Sequence, residues 1–72
     1  MLLSELKKGQ IAIIESINDE ELAVKLMEMG CLPGETVELL HKAPFGDPLA
    51  IRVAGYKLSL RVSEAASVIV HN

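Results

Sequence analysis

The chain has no tryptophan, one phenylalanine, one tyrosine, one cysteine and three prolines in 72 residues. Each scarcity excludes something. With aromatics at 3% and hydrophobic residues at 50%, the core has to be aliphatic, built from Leu, Ile, Val, Ala and Met. A groove for proline-rich peptides needs aromatic walls, and Phe45 and Tyr56 alone do not supply them. A lone cysteine, Cys31, cannot form an internal disulfide, which fits a reducing compartment. Positive charge is also short: 7 Lys+Arg face 10 Asp+Glu, a formal charge of −3. Lys7-Lys8 is the only basic run, so neither a phosphate-neutralising face nor a stacking platform for nucleic acid is expected. The longest apolar run, Ile11 to Ile14, falls far short of the roughly 20 residues of a membrane helix. Met1-Leu2-Leu3 runs straight into Ser4, Glu5 and Lys7, which is not a signal-peptide core. The expectation is one small cytoplasmic domain, residues 1–72, with no direct membrane insertion. A domain of this size buries only about 60% of its unfolded surface, so its core is thin.

What is present is alternation with sharp punctuation. Leu3 to Leu6 has room for one helical turn, ended by Gly9. Gln10 to Ile17 reads as a strand, with Ile11, Ile13 and Ile17 on one face and Ala12 and Ile14 on the other. Asn18-Asp19-Glu20-Glu21 reads as a helix start in which Asn18 caps and Glu21 completes a capping box. That helix is expected to reach Met29, where Gly30 closes it in the left-handed conformation and Pro33 forbids its continuation. Thr36 to His41, Pro48 to Ala54 and Tyr56 to Val62 alternate as strands, pointing Val37, Leu39, Leu49, Ile51, Val53, Leu58, Leu60 and Val62 inward. Gly55 marks a tight hairpin turn. Ser63 to Ala66 makes one capped helical turn, and Val68 to Val70 a last strand. Five short strands with one helix after the first favour a small closed or nearly closed barrel, because closure removes exposed edges. A flat sheet carrying one helix on its face is the competing architecture.

Three segments give this pattern a family likeness. Lys25-Leu26-Met27-Glu28-Met29-Gly30 followed by Pro33-Gly34, Ala43-Pro44-Phe45-Gly46-Asp47-Pro48 followed by Ile51-Arg52-Val53, and Leu58-Ser59-Leu60-Arg61 with Glu64-Ala65 resemble the FeoA family. These are small cytoplasmic proteins encoded with a bacterial ferrous-iron permease. The resemblance implies a mainly β fold with one helix, a small SH3-like barrel with that helix inserted after the first strand. It also implies a role in ferrous-iron uptake through contact with the GTP-binding cytoplasmic domain of the permease. A similar fold forms the C-terminal domain of metal-responsive transcription regulators; the start at Met1, with no helix-turn-helix ahead of it, points away from that variant. Cys31 stands where the family pattern leads one to expect a larger aliphatic residue.

No Ser/His/Asp or Cys/His set has a readable local signature, and no Gly-x-x-x-x-Gly-Lys-[Ser/Thr] loop exists to hold a nucleotide. The chain is read as a non-enzyme with no resident cofactor. Ferrous iron favours imidazole and carboxylate ligands, yet His41, His71 and Cys31 fall at no close ligand spacing. Weak binding of Fe(II) or another divalent metal, or a metal-sensor role, is the alternative function. The helix carries the main lead. Leu22, Leu26 and Met29 centre its inward stripe at 100° per residue, while Ala23, Val24 and Met27 widen the apolar arc to nearly twice the roughly 100° that a surface helix needs. Methionine adapts to irregular partner surfaces. The expected partner-binding residues are therefore Val24 and Met27, the turn Leu32-Pro33-Gly34, and Phe45 at the tip of a proline-stiffened loop. Two competing outcomes are that the Leu3–Leu6 turn or the Phe45 loop folds over the helix flank, or that Phe45 tucks into the barrel mouth. Arg52 and Arg61, facing outward, read as a solvated strand face, with an arginine finger acting on a GTPase partner as the less favoured alternative.

Overall fold

Alternating aliphatic residues become strands here because one face of each is buried and the other is wet. The computed structural model describes all residues, Met1–Asn72. A 3-10 turn at Leu3–Glu5 is followed by β1 (Ile11–Ile17), helix α1 (Glu20–Glu28), β2 (Thr36–Lys42), β3 (Leu49–Val53), β4 (Tyr56–Leu60), helix α2 (Val62–Ala65) and β5 (Val68–His71). All strand pairs are antiparallel, in the order β4-β3-β2-β1-β5. The expected closure is not completed by hydrogen bonds, since no ladder joins β4 to β5. Instead α2 spans from one to the other and packs against the 3-10 turn, which also packs on β5.

Sixteen residues are buried and none is polar or charged. Val37 and Leu39 of β2, Leu49, Ile51 and Val53 of β3 and Leu60 of β4 point inward as their alternation requires. Leu3 and Leu6 join them, so the N-terminal turn plugs the core and does not cover the helix flank. On β1 the buried face is Ala12 and Ile14, and Ile11 is exposed. A bulge between Ile14 and Ser16 then resets the phase. It brings Ile17 opposite buried Val68, on the inner face with Ile14, so Ile17 leaves the face of Ile11.

Two caps differ from their expected positions. Asn18 does not cap α1, because its backbone N–H donates to the Ser67 carbonyl at 2.7 Å and holds it in the strand connection. Asp19 is the N-cap, accepting from the Leu22 N–H at 3.1 Å. Val62 does not extend β4 but opens α2. There Glu64 accepts from the Arg61 N–H at 2.8 Å, and Asp47, from the distant β2–β3 loop, accepts from the Val62 N–H at 3.1 Å.

The end of α1 follows the expected logic closely. Gly30 has φ +92°. Its N–H donates to the Met27 carbonyl, and the Cys31 N–H donates to that of Leu26 at 2.9 Å, a Schellman closure. Cys31 and Leu26 both enter the core, so the cysteine fills an aliphatic position. Leu32-Pro33-Gly34-Glu35 then turns the chain, with the Glu35 N–H donating to the Leu32 carbonyl and the Gly34 N–H tying the turn to Ile14 at 2.7 Å.

Candidate docking surface

The Schellman closure decides what the end of α1 shows to solvent. Met29 was expected in the core stripe. As C-cap it has φ −92° and ψ 2°, so it leaves the helical phase, and Cys31 takes the inward place. Met29 is 40% exposed. Met27, one turn from Val24 on the same helix, is 47% exposed and Val24 is 60% exposed. Gly30 lies against the β3–β4 turn, where a Cβ at Gly30 would meet the Ala54 Cβ at 3.3 Å. This approach sets the helix end beside β4. Between them runs an open groove of about 480 Å³ lined by Met27, Glu28, Met29, Gly30, Tyr56 and Leu58.

The groove is mostly apolar, and its two methionines are unbranched and polarisable, suited to filling an irregular partner surface. Tyr56 and Leu58 were not anticipated as part of it. Their signal in the sequence was Tyr56, one of two aromatics, opening a strand immediately after a tight turn.

The other expected contact residues fall elsewhere. Leu32, Pro33 and Gly34 are exposed on their turn. Gly34 lines a separate shallow hollow with Ile11, Glu38 and the Arg52–Gly55 segment. Phe45 is fully exposed and does not enter the barrel mouth. Its loop is closed by the Gly46 N–H donating to the Ala43 carbonyl at 2.7 Å and the Ala43 N–H donating to that of Pro48 at 3.0 Å. The Asp47-Pro48 peptide is cis. Phe45 therefore projects from the Leu49 end of β3, whereas the methionine groove lies at the Val53–Ala54 end. A strand of this length separates them by roughly 17 Å.

A third hollow, between the start of α1 and α2, is polar. Asp19, Glu21, Lys25, Ser63, Glu64 and Ser67 line it around Leu22, and a Lys25–Glu64 ion pair of 3.8 Å spans it. No three His, Cys, Asp or Glu side chains come together as a metal-binding group. His41 on β2 and His71 at the end of β5 are exposed. Burial, with a smaller contribution from the nearby Glu35 carboxylate, raises the Cys31 thiol above its ordinary value of 9.0. A thiol held protonated is a packing group, and a poor nucleophile or ligand. No helix is long and apolar enough to cross a membrane.

The fold and this surface define a small SH3-like β domain whose main exposed feature is an apolar groove between a helix end and an edge strand. Comparison with known proteins makes the assignment specific. The FeoA domain model matches residues 1–72, and the chain belongs to the FeoA family. It is 37% identical over 69 residues to an Fe(2+) transport protein A/Fe(2+) transporter FeoB fusion protein of Porphyromonas gingivalis, covering 94% of this chain but only 8% of that protein's length. The solution structure of FeoA from Chlorobium tepidum superposes with a TM-score of 0.93 at 36% identity, over 99% of this chain and 69% of that one. Zinc-complexed FeoA of Stenotrophomonas maltophilia, described as a prokaryotic SH3 domain protein, gives 0.86 at 39% identity, over 97% and 88%.

Proposed function

We propose that this domain is a non-catalytic accessory module of bacterial ferrous-iron uptake. In this reading it works in the cytoplasm and binds the GTP-binding cytoplasmic domain of the iron permease, altering that domain's activity or assembly. The observation that carries the reading is the Porphyromonas protein, in which a homologous segment and the transporter FeoB share one polypeptide. Fusion holds two partners at high effective concentration, the arrangement expected of modules that associate. The Stenotrophomonas relative has been put forward as an activating factor of ferrous-iron transport, in line with this role.

Docking is assigned to the groove of Met27, Met29, Tyr56 and Leu58, extended by Val24. Leu32-Pro33-Gly34 and Phe45 are further candidate contacts. Met27→Glu tests the assignment. Methionine and glutamate have similar helix propensity and Met27 is half exposed, so folding stability should fall by no more than about 1 kcal/mol. A carboxylate buried unpaired against an apolar partner should weaken binding to the purified permease domain by about 30-fold or more. Unchanged affinity for that variant, measured by calorimetry, rejects the groove as the contact surface.

A second reading, direct divalent-metal binding, draws on the zinc complex of the Stenotrophomonas relative. Anaerobic Fe(II) titration followed by imidazole and amide NMR tests it. Specific shifts at His41, His71 or Cys31 at micromolar metal would favour that reading over docking alone.

A further inference from the structure

The two edges of this sheet are finished differently. The outer side of β5 is occupied by the chain's own N-terminus: Leu2 bridges Ile69, and the Val70 N–H donates to the Met1 carbonyl at 2.8 Å. β4 pairs with β3 in unbroken register from Tyr56 to Leu60, and no backbone hydrogen bond reaches it from the other side. Ala54 and Gly55 both have positive φ, +51° and +81°, so this is a two-residue turn that closes with Val53 and Tyr56 as a bonded pair. Antiparallel alternation then points the N–H and C=O groups of Lys57 and Ser59 away from the sheet. Edge strands are usually blunted by a bulge, a proline or charge. β4 has no bulge and no proline, and Lys57 is its one charged residue.

The side chains along this edge sort by face. Tyr56 and Leu58 continue into the methionine groove. Lys57 lies on the opposite face with Ser59, and Arg61, the N-cap of α2, follows just past the strand's end; all three are exposed. Arg52, directly across the ladder from Lys57, is neutralised by Glu38 at 3.6 Å. Neither Lys57 nor Arg61 takes part in an ion pair. The Glu64 and Asp47 carboxylates lie close to Arg61, on the Arg61 and Val62 N–H groups, so in a domain of net charge −3 the unpaired positive charge on the one open edge is that of Lys57.

We propose that the β4 edge accepts, as an added antiparallel strand, an extended partner segment in which apolar and acidic residues alternate. Its backbone would pair with Lys57 and Ser59. Its apolar side chains would lie over Leu58 and the methionines, and a carboxylate beside Lys57. The inference rests on the docking reading above for the source of that segment.

The test uses the full ¹⁵N-labelled chain and a peptide of about ten residues alternating valine and glutamate, long enough to cover β4. A valine–lysine peptide is the control. The expected result is amide shifts confined to residues 56–60 and 27–30, with exchange at Lys57 and Ser59 slowed about tenfold or more by the new hydrogen bonds. Lys57→Glu should weaken binding about tenfold through lost charge complementarity. Ser59→Pro, which removes an outward N–H on an edge where proline is tolerated, should weaken binding while the spectrum of the free protein stays dispersed. Equal binding of the lysine peptide, shifts that miss β4, or a dimer formed without peptide that protects the same two amides would each overturn the proposal. The permease domain separates the two readings. Binding that is lost with Met27→Glu but leaves Lys57 and Ser59 unprotected overturns edge pairing and leaves docking intact. Peptide binding without any binding of the permease domain does the reverse.

Discussion

Replacing Gly30 by alanine should loosen both the fold and the groove, and the structure sets the size of the effect. At φ +92° an alanine is strained by about 1–2 kcal/mol. Its Cβ would also press on the Ala54 Cβ at 3.3 Å, inside ordinary van der Waals distance, adding about 1 kcal/mol at the low end of overpacking costs. The stiffer unfolded chain returns about 0.4–1 kcal/mol. Gly30→Ala should therefore destabilise by about 2 kcal/mol, a fall in Tm of about 8–16 °C for a domain this small. Ala54→Gly alone should be close to neutral, because relief of its φ of +51° is offset by a more flexible unfolded chain. Combined with Gly30→Ala it should recover about 1 kcal/mol, the contact part but not the backbone part. Urea and thermal unfolding of the four proteins in this cycle measure the coupling. Additive effects, or a Gly30→Ala variant as stable as the parent, would refute the claim that this contact sets the helix end against the hairpin.

Other outcomes follow from single observations. Asp19→Ala should cost about 1 kcal/mol through the lost cap, and Asn18→Ala clearly less, as thermal unfolding will show. Phe45→Ser should leave stability within about 0.5 kcal/mol, since the ring is fully exposed, so any loss of partner affinity in that variant reports direct contact. Cys31 should resist a disulfide-exchange reagent in the folded protein and react on unfolding. Its proton is held more tightly in the folded chain, so its contribution to stability is complete below the unfolded value near 9.0 and is lost as pH rises through the raised folded value. Cys31→Ala should remove that alkaline decline.

Local rules carried far in this chain. Gly30 as helix terminator, Gly55 as hairpin turn and the inward sets of β2 and β3 follow from single-residue preferences and period-two burial. What escaped was non-local. Asn18 is held in the strand connection by its N–H bond to Ser67, leaving Asp19 to cap α1, and α2 gains a cap from Asp47, fifteen positions away. The bulge after Ile14 depends on register with β5, which no local pattern encodes. Met29 leaves its expected inward place because a Schellman closure rotates the last residues out of helical phase, and Cys31 fills that place. For the surface, Val24 and Met27 were legible as excess apolar arc on one helix. Tyr56 and Leu58 were not, because their share in the groove depends on the Gly30–Ala54 approach. Phe45 was legible as the tip of a stiff loop, but the choice between exposure and burial in the barrel mouth was left open, and its distance from the methionines comes from the strand between them. Edge openness at β4 was hidden by the expectation of a closed barrel.

In the proposed role, the helix-end groove grips another macromolecule. The most direct measurement is an NMR shift map of the ¹⁵N-labelled chain with the purified GTP-binding domain of the proposed permease partner, with and without nucleotide. Perturbations are expected at Val24, Met27, Met29, Tyr56 and Leu58. Shifts confined to the polar hollow of Asp19, Lys25 and Glu64, or no shifts at saturating domain in either nucleotide state, would contradict it.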